Sequence, residues 1–445
     1  MRENNPASQN LSGLKQSLRA LNSRNYRLFF GGQGISLIGT WLTRIATSWL
    51  VYRLTNSAFL LGLVGFAGQI PSFLLSPLAG VLVDRWNRHR ILVITQILSM
   101  LQSLALAVLA LSGIIAVWHI LVLSIFQGLI NAFDIPARQS FVVQMVEKKE
   151  DLPNAIALNS AIFNSARLLG PSIGGILIAT VGEGICFLID GISYLAVIAS
   201  LLAMRIPKYR VISKGRPLME ELKEGITYAL NFPPIRSILL LLGLISLAGI
   251  PYTVLMPVFA KDVLKGGPHT LGYLMAASGT GALAGAIFLA TRKSVQGLGK
   301  LIAWSAGIFG VGLVIFSFSE VLWFSLLLMI ITGFGMITEM ASSNTVLQTI
   351  VEDDKRGRVM SFYAMAFMGM VPIGSLVAGS LASEIGAQYT VMIGGISCLV
   401  GSVWFARKLP YLRKIARPIY VKEGIIPEVA QGIQTATELT LPPKE

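Results

Sequence analysis

One short polar turn concentrates a carboxylate and several basic groups between two apolar stretches. Gly80 is followed at close spacing by Asp84, Arg85, Arg88 and Arg90. The glycine permits two helices to approach closely, and a carboxylate beside guanidinium groups can bind the charged ends of neighbouring helices. The turn therefore predicts a conformational latch. The alternative is a basic turn that only fixes the orientation of the chain in a membrane.

Four ionisable residues, Arg44, Arg167, Asp190 and Glu339, lie inside apolar stretches long enough to cross a membrane. A charge at such a depth is costly unless it is paired or hydrated, so each is a candidate functional group. The two arginines are predicted to line a polar cavity for an anionic or catechol-rich molecule. Alternatively, Arg167 pairs with Asp190 and stiffens the fold. Three amide side chains are assigned to the same cavity: Gln33, Asn164 and Asn344.

Glu339 is also the candidate for proton coupling. A carboxyl group that is withdrawn from water can exchange protons near neutral pH, which makes it suited to linking proton movement to a conformational change.

Small residues recur at helical spacing in one apolar stretch: Ala166, Gly170, Pro171, Gly174 and Gly175. Such residues allow close contact between helix backbones, and the proline supplies a kink. The pattern predicts a tight, bendable seam between helices. Ordinary small-residue packing is the alternative.

Catalytic and metal chemistry find little support. The three histidines, His89, His119 and His269, are dispersed in or beside different loops, and the two cysteines, Cys186 and Cys398, lie in separate apolar stretches. A glycine-rich nucleotide loop of the Walker type is absent from the sequence. We therefore predict neither an enzyme nor a bound cofactor or metal.

The composition predicts a membrane protein. Of 445 residues, 54% are hydrophobic and 13% are charged, against about 25% charged in average soluble domains. The formal net charge is +14, but the basic residues are spread over many connections instead of one soluble surface, which argues against nucleic acid as a partner.

Apolar stretches of about 20 residues, the length that spans a bilayer, predict twelve transmembrane helices. They lie at about 28–51, 59–83, 91–113, 116–137, 155–180, 184–204, 235–259, 270–290, 300–318, 321–349, 358–382 and 388–406. Most basic residues then lie on one side, which the positive-inside rule makes cytoplasmic, together with both termini.

The predicted fold class is an all-α integral membrane protein of two pseudo-symmetric six-helix bundles. Leu61-Gly62 opens the second span as Leu271-Gly272 opens the eighth, which indicates an internal repeat. The predicted parts are a tail at 1–27, bundles at 28–212 and 235–408, an amphipathic linker helix on the membrane surface at 213–234, and a tail at 409–445.

The run from Gly80 to Arg90 resembles the signature of the major facilitator superfamily, and the Gly170-Pro171 pattern resembles the antiporter signature of its exporters. The resemblance covers about residues 20–410. Stretches 131–139, 154–167 and 356–361 are similar to the branch that exports siderophores and macrolides.

The resemblance implies roles for the latch residues. Asp84 would cap the eleventh helix near Arg358, and Arg88 would pair with Asp134 at the end of the fourth. The sequence departs from the family's proton antiporters at Ser124, where an arginine is frequent, so proton antiport is implied by the resemblance more than by these residues.

The predicted function is export of drug-like or siderophore-like small molecules across the inner membrane, by proton antiport with alternating access. The substrate, protons and lipid are the expected partners, and a monomer is expected. Two alternatives are uptake of a metabolite and a non-transporting lipid-handling or signalling role. The second would be favoured if Arg44, Arg167 and Glu339 were sealed into packing.

Overall fold

The protein is a bundle of long helices. The computed structural model describes residues 18–206, 227–292 and 294–422, and every regular element within them is helical. In the N-terminal part the helices are α1 Arg24–Thr55, α2 Ala58–Arg85, α3 Arg88–Leu111, α4 Val117–Met145, α5 (152–181) and α6 (183–202). In the C-terminal part they are α7 Pro233–Val263, α8 Pro268–Ala290, α9 Leu298–Ser317, α10 Leu322–Ile350, α11 (353–385) and α12 Ala387–Lys422.

Helical structure extends over Leu152–Leu202, but the backbone departs from helical geometry at Gly182, which separates α5 from α6. The φ of Gly182 is 82°, in the region that favours glycine. Gly170 and Gly174 of α5 pack on Trp41 and Leu42 of α1, so α5 runs parallel to α1. On α6 the order is reversed, because Asp190 bonds Thr43 whereas Ser200 lies against Gly32. The chain therefore turns back at Gly182, and the two arms are separate spans.

Ten helices in the described part of the chain are long and apolar enough to cross a membrane. Leu152–Leu202 is one of the ten, and α1 is not among them. Counting the two arms separately and adding α1 gives the twelve helices that the sequence predicts.

Short capped turns join neighbouring helices. Asn56 ends α1 with a left-handed φ of 49°. The Ser57 hydroxyl then accepts a hydrogen bond from Leu60 N at 3.3 Å and begins α2. At the other end of α2, Asn87 caps α3 by accepting from Arg90 N at 3.2 Å. Only Trp86 and Asn87 therefore separate α2 from α3 in the turn that carries the predicted latch.

The connections separate into two ends of the bundle. At one end Arg19 donates to Glu150 O at 2.7 Å and Asn25 donates to Arg205 O at 2.8 Å; we call it the basic end. At the other, the far end, Lys261 donates to Asn56 at 2.6 Å. Because α1 runs from the basic end to the far end and α2 returns, Arg85 lies at the end opposite to Lys261, as the predicted topology requires.

Several predicted boundaries differ from the helix ends. Helix α1 begins at Arg24 instead of 28, and α7 begins at Pro233. Helix α12 continues to Lys422, beyond the predicted limit of 408, because Leu412 and Ala416 are buried at 5% and 7% exposure. Most of the predicted linker helix at 213–234 lies outside the described residues.

Candidate functional site

Two crossings of glycine on glycine join the halves near the far end. At the crossing of α2 and α11, a Cβ added to Gly62 would lie 2.8 Å from Gly379 Cα. At the crossing of α5 and α8, a Cβ added to Gly175 would lie 2.8 Å from Gly272 Cα. Gly62 and Gly272 are the residues that the internal repeat pairs, so the two crossings are related by the pseudo-symmetry of the halves. Both have room for glycine alone.

Polar contacts between α1 and α7 close the same end. The Tyr52 hydroxyl donates to the Asp262 carboxylate, and the Lys261 ammonium lies 5.5 Å from the centre of the Tyr52 ring. Lys261 also donates to Asn56. Two residues of one half, Tyr52 and Asn56, thus meet two of the other, Lys261 and Asp262, at the far end.

Contact between α2 and α11 is lost towards the basic end. Gly369 of α11 still packs directly on the Phe73 ring. A Cβ added to Gly80 would meet no atom of the described residues within 4 Å. Among the described residues, the contacts between α2 and α11 therefore extend from Gly62 to Phe73, and none is found at Gly80.

Arg44 and Arg167 come from α1 and α5, which pack together between these ends where Gly170 meets Trp41. Arg44 is exposed although it lies in the middle region of α1, and its guanidinium is 5.3 Å from the centre of the Trp41 ring. It is close enough to Arg167 for the two charges to repel. Arg167 is half-buried and within electrostatic reach of the Tyr252 hydroxyl on α7. A Cβ added to Gly279 of α8 would lie 3.3 Å from Arg167 O, so this part of α5 borders the C-terminal half.

Neither arginine forms an ion pair within the described part of the chain. A single charge at the centre of a membrane helix costs about 2.5–3.5 kcal/mol, so two cost roughly 5–7 kcal/mol before hydration offsets part of it. Water that reaches Arg44, or a bound anion, is what can offset this cost.

Three aromatic residues lie around the two arginines: Phe163 is exposed, whereas Trp41 and Tyr252 are buried at 9% and 3% exposure. Phe163 is 47% exposed, and its ring lies 6.3 Å from the Trp41 ring in an edge-on arrangement. Tyr252 is held by a 2.8 Å hydrogen bond to Ser278 and by edge-on packing against Phe309. We call Arg44, Arg167, Trp41, Phe163 and Tyr252 the arginine site.

The structure describes two of the three amides that the sequence assigns to this cavity. Gln33 is buried in α1 at 7% exposure. Asn344, half-buried on α10, accepts a hydrogen bond of 2.5 Å from Gln348 one turn away. The side chain of Asn164 lies outside the described part of the structure.

Asp190 lies in the core of the N-terminal half, away from any arginine partner in the described residues. Its Oδ2 accepts from Thr43 at 2.8 Å and from Ser103 at 3.0 Å, and the residue is 2% exposed. Its Oδ1 has no hydrogen-bond partner in the described part of the chain. The alternative in which Arg167 pairs with Asp190 is therefore wrong, because hydroxyl groups of α1 and α3 occupy the bonded oxygen.

Glu339 is buried in the C-terminal half at 1% exposure and accepts a 2.8 Å hydrogen bond from Ser343. Tyr363 and Cys398 are within electrostatic reach of it. The non-transporting alternative requires Arg44, Arg167 and Glu339 all to be buried in packing. Glu339 is buried, Arg167 is half-buried and Arg44 is exposed.

The predicted latch is only partly described. Asp134 accepts from Thr95 at 2.8 Å and from Gln96 at 2.9 Å, and Arg138 forms an ion pair with it one turn along α4. Arg138 thus occupies the place that the family resemblance gave to Arg88.

Arg88 donates to Ser140 O at 3.5 Å, whereas Arg85 and Arg90 are exposed. Arg358 is half-buried near the start of α11. The side chain of Asp84 lies outside the described residues.

The small-residue pattern of α5 makes contacts on two sides. Ala166, 3% exposed, and Gly170 pack on α1 beside Trp41, and Gly174 packs on Leu42. Pro171 and Gly175 face α8, where a Cβ added to Gly272 would lie 2.8 Å from Pro171 O. The pattern therefore serves both packing within one half and the seam between halves.

Tyr252, Tyr52 and Asp262 were not singled out by sequence reasoning. The sequence signal at this place is Pro251, which stands directly before Tyr252. In the structure, the same helix contains two π turns, Ile245–Gly249 and Phe259–Val263. Such turns are frequent at functional sites. Within the described residues, no group of three or more His, Cys, Asp or Glu side chains could hold a metal ion.

Sequence comparison gives a consistent result over most of the chain. The sequence model of the family described as transmembrane secretion effector matches residues 16–419. The staphyloferrin A transporter of Staphylococcus aureus is 28% identical over 376 residues, which are 84% of this chain and 93% of the relative. The multidrug efflux pump Tap of Mycolicibacterium fortuitum is 29% identical over 395 residues, 85% of this chain and 93% of the relative.

Among solved structures, an inward-facing, unoccupied bacterial homologue of the human lysosomal transporter Spinster superposes with a TM-score of 0.65. The two chains are 14% identical, and the match covers 91% of this chain and 98% of the other. At this identity the likeness concerns the fold.

Proposed function

This chain belongs to the transmembrane secretion effector family of the major facilitator superfamily, and we propose that it exports small organic molecules from the cytoplasm. It is a multi-pass membrane transporter with relatives among drug efflux and siderophore transporters. The exported molecules are drug-like or siderophore-like compounds, and the energy comes from protons moving in the opposite direction.

The observation that carries this proposal is the unequal closure of the seam. Gly62 on Gly379 and Gly175 on Gly272 close the far end, while Gly80 stands clear of contact towards the basic end. Arg44 is accessible between them. A polar interior closed at one end is what an alternating-access transporter presents in one of its states.

In this proposal the halves rock about the arginine site. Residues 28–212 move against 235–408, so that the far end opens while the basic end closes. Asp84 then caps α11 beside Arg358 and stabilises the outward-open state. The glycines of α2, α5, α8 and α11 allow the helix backbones to touch at the two crossings without interlocking side chains, so the helices can separate and meet again.

Glu339 is the proposed proton carrier, and Asp190 is its counterpart in the N-terminal half. Each is a carboxyl group in the interior of one half, and each accepts hydrogen bonds only from hydroxyl groups in the described residues. When the cavity faces the more acidic side of the membrane, protonation of Glu339 would remove its negative charge from the interior of the C-terminal half. Release of this proton on the other side would complete the exchange.

The tails and the basic end face the cytoplasm in this proposal, and the protein works as a monomer in the inner membrane. Arg19, Arg24 and the basic turn after α2 lie at this end, which is the distribution that the positive-inside rule assigns to the cytoplasm.

Accumulation assays test export directly. Cells with and without the protein are loaded with siderophores and macrolides, with the proton gradient present or collapsed by an uncoupler. Export predicts lower accumulation in cells that contain the protein, and collapse of the gradient removes the difference. Equal accumulation of every compound would contradict the proposal, and higher accumulation would support uptake.

A further inference from the structure

We infer that the arginine site binds an organic anion with at least two oxyanion groups, carboxylate or phosphate, and that this anion is the class of molecule transported. The inference rests on the proposed function, since it names the substrate of the same cavity. It starts from the two guanidinium groups that the described part of the chain leaves without a carboxylate partner.

The buried carboxylates are committed to other groups. Asp190 is bonded to Thr43 and Ser103, and Glu339 to Ser343. Asp134 has Arg138. Arg44 and Arg167 therefore have no carboxylate partner in the described residues, on two helices that pack together where Gly170 of α5 meets Trp41 of α1.

The chemistry of guanidinium selects an oxyanion. Its planar donors match the two oxygens of a carboxylate or phosphate, and an anion between two such groups would satisfy both and relieve their repulsion. A cationic drug would add a third positive charge, and a neutral sugar would leave the repulsion in place. Two arginines favour a ligand that carries more than one negative group.

Other parts of the site fit the organic remainder of such a molecule. The exposed Phe163 ring offers an apolar face beside the buried Trp41 ring, over which Arg44 is already held. The Tyr252 hydroxyl comes from the C-terminal half. A Cβ added to Gly279 of α8 would lie 3.3 Å from Arg167 O, so an anion bound to Arg167 would lie beside the C-terminal half and respond to the relative position of the halves.

Binding to the purified full-length protein in lipid nanodiscs tests the inference apart from transport. Calorimetric titration compares citrate and glycerol 2-phosphate with glucose and tetraphenylphosphonium. We expect the wild-type protein to bind at least one of the two anions roughly tenfold or more tightly than the neutral and cationic probes. The ratio between citrate and glycerol 2-phosphate distinguishes carboxylate from phosphate recognition.

Variants locate the binding. Arg44→Gln and Arg167→Gln should each weaken anion binding by roughly tenfold or more, the range for loss of charged hydrogen bonds. Arg44→Lys keeps the charge but loses the planar fork, so its loss should be smaller. Arg27→Gln removes an exposed arginine of the same helix and should leave binding unchanged.

The inference is overturned if glucose or the phosphonium cation binds as tightly as both anions, or if the glutamine variants, folded by gel filtration, bind anions like the wild type. If cells with the protein export a cationic or neutral drug and the purified chain binds neither anion, the inference falls and export stands. If the purified chain binds anions but cells export no compound, export fails and the anion site remains.

Discussion

Adding one methyl group at a glycine crossing should open the far end of the protein. Gly62→Ala places a Cβ 2.8 Å from Gly379 Cα and 3.2 Å from Gly379 N, and also against Ser375 O. All three are backbone atoms, which cannot rotate away as a flexible side chain can. The variant therefore strains the closed far end and leaves the open state unaffected.

The size of the effect follows from that contact. Overpacking of this kind costs about 1–3 kcal/mol. Because the strain is released when α2 and α11 part, the whole cost acts on the equilibrium between the two states. The ratio of outward-open to closed molecules should rise about 5- to 150-fold.

Accessibility of an introduced thiol measures this ratio. Thr40 is exposed in the interior, so Thr40→Cys reports access to the cavity. The native Cys186 and Cys398 are both 0% exposed and should not react. A membrane-impermeant maleimide is added to right-side-out and inside-out vesicles, which present the two faces separately. Gly62→Ala should speed labelling from the face of the far end.

Two further variants make the result decisive. Gly68→Ala adds the same methyl group to α2 at an ordinary distance of 3.7 Å from Ser124 Cβ, so labelling should not change. Gly272→Ala is the pseudo-symmetric change and meets Gly175 Cα at 2.9 Å. If Gly62→Ala and Gly272→Ala both insert normally and label like the wild type, the crossings do not close the far end.

Three other changes test the remaining contacts. Tyr52→Phe removes the donor to Asp262; at about 1 kcal/mol it should raise far-end labelling roughly fivefold, and unchanged labelling would mean that this contact does not hold the end closed. Glu339→Gln should abolish the pH dependence of exchange in proteoliposomes, whereas an unaltered pH profile would exclude Glu339 as the proton carrier. Asp84→Arg should lower efflux by roughly tenfold or more with normal insertion on immunoblots, and wild-type efflux would remove the latch from the mechanism.

The fold was largely predictable because hydropathy and charge distribution act over whole helices. The span prediction places Arg85 and Lys261 at opposite ends, and the paired positions of Gly62 and Gly272 indicate the repeat. Helix ends were less accurate, since α12 continues beyond 408 where Leu412 and Ala416 find partners. Hydropathy carries no information about such contacts.

The sequence indicated which charged residues belong to the candidate site, but it did not indicate which residues they contact. Arg44 and Arg167 stand out because charge is rare in apolar stretches, and the structure places them on two helices that pack together. Tyr252 did not stand out, because an aromatic residue in an apolar helix looks like any core residue. Asp190 shows the same limit, since Thr43 and Ser103 come from helices far apart in sequence.

The polarity of α1 affects how the protein is made. This helix is not among those apolar enough to enter lipid by hydropathy, and it packs on α5 and α6 through Trp41 and Gly39. A ribosome delivers α1 well before those partners exist. A nascent chain that stops before Leu152 should therefore leave α1 without the α5 and α6 surfaces on which Trp41 and Gly39 pack.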